Sequence, residues 1–311
     1  MHAKPGQFRE NRFNDVAAPK ARMQQSKSHL TGIISMVKAS IAFSLMAFGV
    51  KLVSRTLPSL EAVFFRSLIG TIMIVIIMKA KGVSLLGRKK GLMILRGVTG
   101  FIALSLHFYT IEHLPLGTAV MLNYTAPIFA ALFAVLFLNE RPSLFLWAMT
   151  FMSFTGVYLL VGARLETWNY LILLGLLSAV FVGVVYISIR ALRHHESPLT
   201  IIFYFTAVST IGSIAFLPFG FRWPNLIEWL LLLAVGIGSF YGQLWMTIAL
   251  RRAPASLVTP FSYLVPLLSF FYGFIFFGDR LSVTSIIGGV MIVLAGSLIS
   301  YFGARKAVAE L

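Results

Sequence analysis

The chain has no cysteine in 311 residues, which excludes disulfides, thiolate chemistry and any metal site built on sulfur. It is also poor in charge. Only 12% of its residues are charged, against about 25% in a soluble domain, so its surface cannot face water all round. Acids are the scarcest group, with ten Asp and Glu against 26 Lys and Arg. None lies deep in a long apolar run; Glu61, Glu112 and Glu228 fall near the ends of theirs. A relay of buried carboxylates therefore has no carrier, and His107 is the one titratable candidate at depth. The motifs HExxH, GxSxG, the P-loop and paired carboxylates are all missing. The densest titratable cluster, His194-His195-Glu196, sits in a polar loop and reads as a solvated turn. No catalytic residue, cofactor or metal is expected.

What remains is oil. Fifty-eight per cent of residues are hydrophobic and mean hydropathy is +0.88. At about 20 apolar residues per crossing, the length suits roughly ten spans. The fold class is therefore an all-α polytopic membrane protein. Apolar runs predict helices over 31–54, 59–80, 91–111, 116–138, 143–162, 169–190, 199–221, 226–250, 254–277 and 282–303. Residues 1–30 are polar and basic and read as a disordered tail, and 304–311 as a second short tail. The first apolar run is too long for a signal-peptide core and stays attached.

The net charge of +16 is not a nucleic-acid footprint, because no basic stripe with interleaved aromatics exists. The cations gather in the tails and in alternate loops. With the N-terminus inside, 18 fall on the cytosolic side and four (Arg55, Arg164, Arg222, Arg280) on the other. That bias predicts cytosolic N- and C-termini in a cytoplasmic (inner) membrane. The expected partners are the lipid bilayer and a small-molecule solute, with no nucleic acid; the sequence does not address oligomeric state.

Two segments are written alike: LNYTAPIFAALFAVLFLNER (122–141) and FSYLVPLLSFFYGFIFFGDR (261–280). They are predicted helices four and nine, displaced by 139 residues. The same offset maps Phe64 onto Phe203, Pro115 onto Pro254, Glu140 onto Asp279 and Arg141 onto Arg280. Five helices is an odd number, so the second copy enters the membrane inverted. Such repeats can exchange conformations, one side closing as the other opens.

Helical spacing puts Asn123, Pro127, Ala130 and Ala134 on one face, and Ser262, Pro266, Ser269 and Gly273 on its counterpart. Small and polar faces serve close packing or a wet cavity, not lipid. Pro127 and Pro266 each free a backbone carbonyl near mid-membrane, for cavity water, solute or a neighbouring side chain to satisfy. Helix one offers Ser40, Ser44, Ala47 and Lys51, helix three Arg96, Gly100, Ala103 and His107. Gly238 and Gly242 form a close-approach motif in helix eight, with Gln243 and Trp245 beside it. Four cations lie within helices: Lys38, Lys51, Arg66 and Arg96. Arg66 stands about 10 Å inside the end of its helix at about 1.5 Å per residue; it either lines a cavity or pairs with Glu61. Lys51 and Arg96 either line a cavity or snorkel to headgroups.

The stretches EAVFFRSLIG (61–70), 106–160 and 253–300 resemble the EamA-type drug/metabolite transporter superfamily. The pattern is an arginine in helix two, Pro in helices four and nine, a helix-end Glu-Arg and a Gly-containing last helix. One departure, Asp279 where the family often has Glu, keeps the charge. The resemblance implies ten transmembrane helices in two inverted five-helix EamA repeats, 31–162 and 169–303, around a central cavity worked by alternating access without ATP. It implies a lining of Lys51, His107, Asn123, Tyr124, Tyr186, Gln243, Trp245, Ser262 and Tyr263, to which the cation reading adds Arg66 and Arg96. Cations without deep acids suit an anionic or zwitterionic solute, such as an amino acid or S-adenosylmethionine. The alternatives are a membrane-embedded lipid or acyl transferase, which lacks chemistry here, and a channel.

Overall fold

The computed structural model describes the backbone of residues 7–138, 144–161, 170–192, 195–253, 255–280 and 282–309, and side chains for most of these from Lys27 on. Glu140, Arg141, His194 and Pro254, and the side chain of Ala134, lie outside the described residues. The elements are α1 (Gln7–Val53), α2 (Ser59–Ala80), α3 (Lys90–His113), α4 (Leu116–Asn123), α5 (Ala126–Leu138), α6 (Leu144–Val161), α7 (Tyr170–Leu192), α8 (Pro198–Ile214), α9 (Leu226–Arg252), α10 (Ala255–Ser262), α11 (Leu264–Phe277) and α12 (Val283–Ala309). Twelve helices make ten spans, because predicted helix four is α4 plus α5 and predicted helix nine is α10 plus α11.

Three boundaries differ from expectation. Residues 7–30, expected as a disordered tail, belong to the 47-residue α1; their Arg, Lys, Gln, Met and Ala are strong helix formers. The membrane-crossing part is Lys27–Val53. Predicted helix seven stops at Ile214, because Pro218 and Gly220 follow, and the chain turns through a short 3-10 piece at Leu217–Phe219. At the other terminus α12 runs on to Ala309 through part of the second predicted tail.

Contacts between chain segments give the topology. At one end of the bundle, called near because α1 enters there, Thr200 at the start of α8 bonds Ser84 O beyond the end of α2, at 3.0 Å. Lys89 N–H donates to Glu196 Oε1 across the same face at 2.6 Å. At the far end, Arg222 N–H donates to Glu61 Oε1 at 2.7 Å, and Tyr109 hydrogen-bonds Tyr170. α1 therefore begins at the near end and α7, its counterpart, at the far end. The repeats are inverted.

Residues related by a twofold can touch one another only near its axis, and three such pairs do. Thr71 Oγ1 and Thr210 Oγ1 approach to 3.3 Å, and the Tyr124 and Tyr263 rings lie 5.6 Å apart between centroids. Both pairs carry the 139-residue offset. The pseudo-twofold thus passes between α2 and α8 on one side and through the breaks of helices four and nine on the other. Arg66 and Phe205 are a third such pair, and the guanidinium carbon stands 5.2 Å from the ring centroid.

Close crossings hold the halves together. Ala42 O and Phe43 of α1 sit against Gly238 and Gly242 of α9, so the glycine motif of helix eight is a packing seam. Gly156 of α6 and Gly288 of α12 meet backbone to backbone; a Cβ at Gly288 would stand 2.5 Å from Leu160 N. Leu267, Phe271 and Phe274 face outward at 62%, 56% and 62% exposure, whereas Pro266, Ser269 and Gly273 on the opposite face of α11 are buried. Lipid takes the large apolar side chains and the protein keeps the small ones. Gly288→Ala should lower the unfolding temperature in detergent, since overpacking costs about 1–3 kcal/mol. Gly91→Ala, where an added Cβ meets nothing within 4 Å, should leave it level or raise it. Equal behaviour of the two variants would contradict the seam.

Candidate functional site

The site grows out of the two helix breaks. Pro127 and Pro266 carry no N–H for the carbonyl four residues back, and the ring crowds that carbonyl. The chain consequently leaves helical geometry at Tyr124-Thr125 and again at Tyr263. Each break is tied by a serine from the first helix of the other repeat. Ser40 Oγ of α1 lies 2.9 Å from Met36 O and 3.0 Å from Phe261 O, sharing its proton between them. Ser178 Oγ of α7 accepts from Asn123 Nδ2 and donates to Ala103 O, both at 2.8 Å.

Tyr124 and Tyr263 face each other at the breaks, and Tyr186, 44% exposed, lies close enough to interact electrostatically with both. Tyr263 is buried, its hydroxyl has no protein partner, and it rests against Gly296, where a Cβ would collide with it. Ser262 and Asn123, at equivalent positions in the repeats, are half-buried. Pro266 is buried, turned away from the exposed face of α11, and Pro127 is half-buried.

A second group adjoins through Asn123, Ser178 and α3. Arg66 and Arg96 are 4% and 5% exposed, and both guanidiniums lie over the ring of Phe205, at 5.2 and 4.2 Å. Nε and Nη1 of each lack any hydrogen-bond partner, as does His107 Nδ1. His107 and Arg96 both lie within electrostatic reach of Arg66. Gly100, one turn beyond Arg96, makes the room; a Cβ there would stand 2.8 Å from Arg96 Nη1 and 2.9 Å from the Phe205 ring. Removing a charge from water costs several kcal/mol per ion even after relaxation, and a desolvated cation–π contact returns about 2 kcal/mol. The stack alone leaves the cations under-compensated.

The structure corrects two readings of these cations. Arg96 does not snorkel; it is buried against Phe205. Arg66 does not pair with Glu61, whose carboxylate accepts the Arg222 N–H instead. Lys51 is held at the far end, where Nζ donates to Glu112 O at 3.0 Å and Leu114 O at 2.8 Å and so closes the end of α3. Trp245 packs on Tyr241, 5.2 Å between centroids, and against a small apolar cluster of α1, α9 and α10. Gln243 is half-buried on α9. Tyr124, Tyr186, Tyr263 and Asn123 thus form one group, and Arg66, Arg96 and His107 a second that adjoins it through Ser178 and α3. Lys51 and Trp245 are engaged elsewhere. Among the described residues no group of His, Asp and Glu could hold a metal.

Sequence reasoning passed over Phe205, Ser178 and the role of Asp279, and named Ser40 only as part of a small polar face. Asp279 Oδ2 accepts the Leu116 N–H at 2.9 Å, reaching from the end of α11 in one repeat to the start of α4 in the other. Gly278 permits this by ending α11 at φ +68°, and Gly273 leaves room for the carboxylate. Gly117 seats against the Phe270 ring at the same seam, and Phe48 packs on Tyr272, Phe276 and Phe277 at 5.1–5.6 Å. α4 therefore lies along α11 at the far end. Among the described residues, the symmetry-related halves α5 and α10 have no comparable contact. Among the described residues, the far end carries this seam and the near end has no comparable one. The 139-residue offset would have pointed to Phe205, since it carries Arg66 onto it.

Comparison with known proteins agrees with this architecture. Residues 30–162 and 169–301 each match the EamA-like transporter family. A pseudopaline exporter, CntI, of Pseudomonas aeruginosa is 36% identical over 267 residues, covering 85% of this chain and 94% of that exporter. An S-adenosylmethionine uptake transporter of Rickettsia felis is 25% identical, covering 88% and 94%, and a riboflavin transporter of Vibrio cholerae 25%, covering 90% and 96%. A solved crystal structure covers 91% of this chain and 99% of its own at a TM-score of 0.65; at 21% identity it shares the fold. With both repeats matched over nearly all of their length, the chain belongs to the EamA-like transporter family, a family of transporters and not of enzymes.

Proposed function

We propose that the protein is a secondary carrier that moves a small anionic or zwitterionic metabolite by alternating access, without ATP. The observation that carries this reading is the asymmetry between the broken helices. At the far end their halves α4 and α11 pack together under the Asp279 contact, while α5 and α10 at the near end stand apart. Two equivalent repeats arranged unequally describe one state of a pair, because exchanging their conformations gives the mirror state with the other end closed. The positive-inside bias puts the near end in the cytosol, so this state opens inward, with N- and C-termini cytosolic in a cytoplasmic (inner) membrane. The Ser84–Thr200 and Lys89–Glu196 bonds support a common side for the two near loops, so reporter fusions ending at Arg88 and at Glu196 should both report cytosol. The three tyrosines and Asn123 line the centre of the path, Pro127 and Pro266 set the hinges, and Arg66, Arg96 and His107 supply the preference for negative charge. The relatives' names, a pseudopaline exporter, an S-adenosylmethionine uptake transporter and a riboflavin transporter, support a metabolite as cargo.

Two measurements follow. Reconstituted vesicles preloaded with amino acids, nucleosides, organic anions or S-adenosylmethionine should show saturable counterflow of at least one labelled solute without nucleotide. Tyr263→Ala should reduce it at least tenfold in a protein that still elutes as folded. Counterflow of none, or full counterflow in the variant, would contradict the carrier or its site. The cysteine-free chain also permits a direct test of which end is open. Asn123→Cys should react with an impermeant maleimide from the near side only. Adding Asp279→Asn weakens a charge-assisted bond by about 1 kcal/mol, so far-side labelling should rise roughly fivefold. Equal labelling from both sides before that second change would refute the closed far end.

A further inference from the structure

Each acid whose side chain is described accepts a backbone N–H, and none meets the buried cations, although Glu61 Oε2 has no partner of its own. Glu61 accepts from Arg222 N, Glu112 from Ser59 N, Glu196 from Lys89 N, Glu228 from Asn225 N and Asp279 from Leu116 N. Four of these amides stand at helix starts, where negative charge is favoured by the helix dipole. The anions of the protein are thus spent at the two faces, while two guanidiniums remain in its middle. Arg66 and Arg96 sit at 4% and 5% exposure with Nε and Nη1 of both unpartnered. One aromatic ring lies against both, and the notch at Gly100 leaves room for Arg96 and that ring. Stacking engages the flat face of a guanidinium and leaves its N–H groups, which lie in the plane, able to take a carboxylate. Like charges held side by side repel unless an anion lies between or across them.

The position within the repeat sharpens the point. Offset by 139 residues, Arg66 corresponds to Phe205 and Arg96 to Val235. The two repeats therefore do not share this chemistry: one supplies both cations, the other the ring that orders them. The prolines, tyrosines and threonines on the axis recur in both copies, and these cations do not.

We infer that Arg66 and Arg96, ordered by Phe205, form the anchoring site of the solute, and that the solute carries two carboxylates. This rests on the carrier reading. His107, with Nδ1 free and Arg66 close by, supplies a further polar contact on the same side. Each carboxylate takes one guanidinium, and the pair is neutralised only when both are present.

Calorimetric titration of the purified full-length protein at constant ionic strength tests this, with glutarate as the dicarboxylate probe, its monoamide, its diamide, and sodium sulfate. Glutarate should bind at one site. The monoamide should bind at least tenfold more weakly and the diamide not at all. Arg66→Gln and Arg96→Gln should each weaken glutarate at least tenfold, Arg66→Lys and Arg96→Lys less, and Phe205→Leu several-fold at unchanged stoichiometry. Sulfate binding as tightly as glutarate would make this a site for an inorganic counter-ion and overturn the inference. So would the absence of glutarate binding, or equal binding of glutarate and its diamide; both comparisons use the parent protein and stand even if a variant fails to fold. If vesicles show counterflow of other solutes while glutarate does not bind, the carrier reading survives and this site fails. If glutarate binds as expected and nothing is moved, the site survives and the carrier reading fails.

Discussion

Inside hydrocarbon, a backbone group that loses its helical partner must find another within the same protein. The broken helices bring that constraint to the middle of this one. Two spans are interrupted near mid-membrane by Pro127 and Pro266, and such interruptions are tolerable only where protein surrounds them. The breaks therefore lie at the pseudo-twofold axis, facing one another through Tyr124 and Tyr263. Each is braced from the opposite repeat, by Ser40 at one and by Ser178 at the other. The weak points of each half are held by the other half, so the two cannot be separated without exposing unsatisfied backbone.

On the carrier reading, that cross-bracing is also what lets the fold take two arrangements. Half-helices shorter than the membrane can tilt about a break at little cost to their internal hydrogen bonds. The contact that holds one end shut, Asp279 on the start of α4, is a single charge-assisted bond over a shallow seam of Gly117 and Phe270. Contacts of that size are strong enough to select a state and weak enough to release it.

Much of this was legible in the residues, because the constraints that made it are periodic. Long apolar runs gave the spans, and the paired Tyr-Pro segments the repeat. The small face of helix nine read correctly, since only lipid wants Phe and Leu on the outside. What stayed hidden was partner choice. Nothing in a helix's own pattern says whether a lysine near its end reaches water, headgroup or carbonyl, and Lys51 found the last carbonyls of α3. Arg96 looked free to snorkel because its depth was counted along its own helix; the ring that captures it is over 100 residues away in the chain. The final length of α1 was missed because polarity was read as disorder, although the residues are good helix formers.

The division of charge follows the same logic. The described carboxylates sit toward the two faces, where four of them accept from helix starts, and the two stacked guanidiniums sit between. The central claim beneath all of this is that the two repeats cross head to tail about an axis through the centre of the molecule. Oxidative cross-linking in native membranes tests it most directly, since the chain has no cysteine of its own. Thr71→Cys with Thr210→Cys should form an intramolecular disulfide, while Glu61→Cys with Thr200→Cys should not. A bond in the second pair would place the repeats parallel and contradict the account.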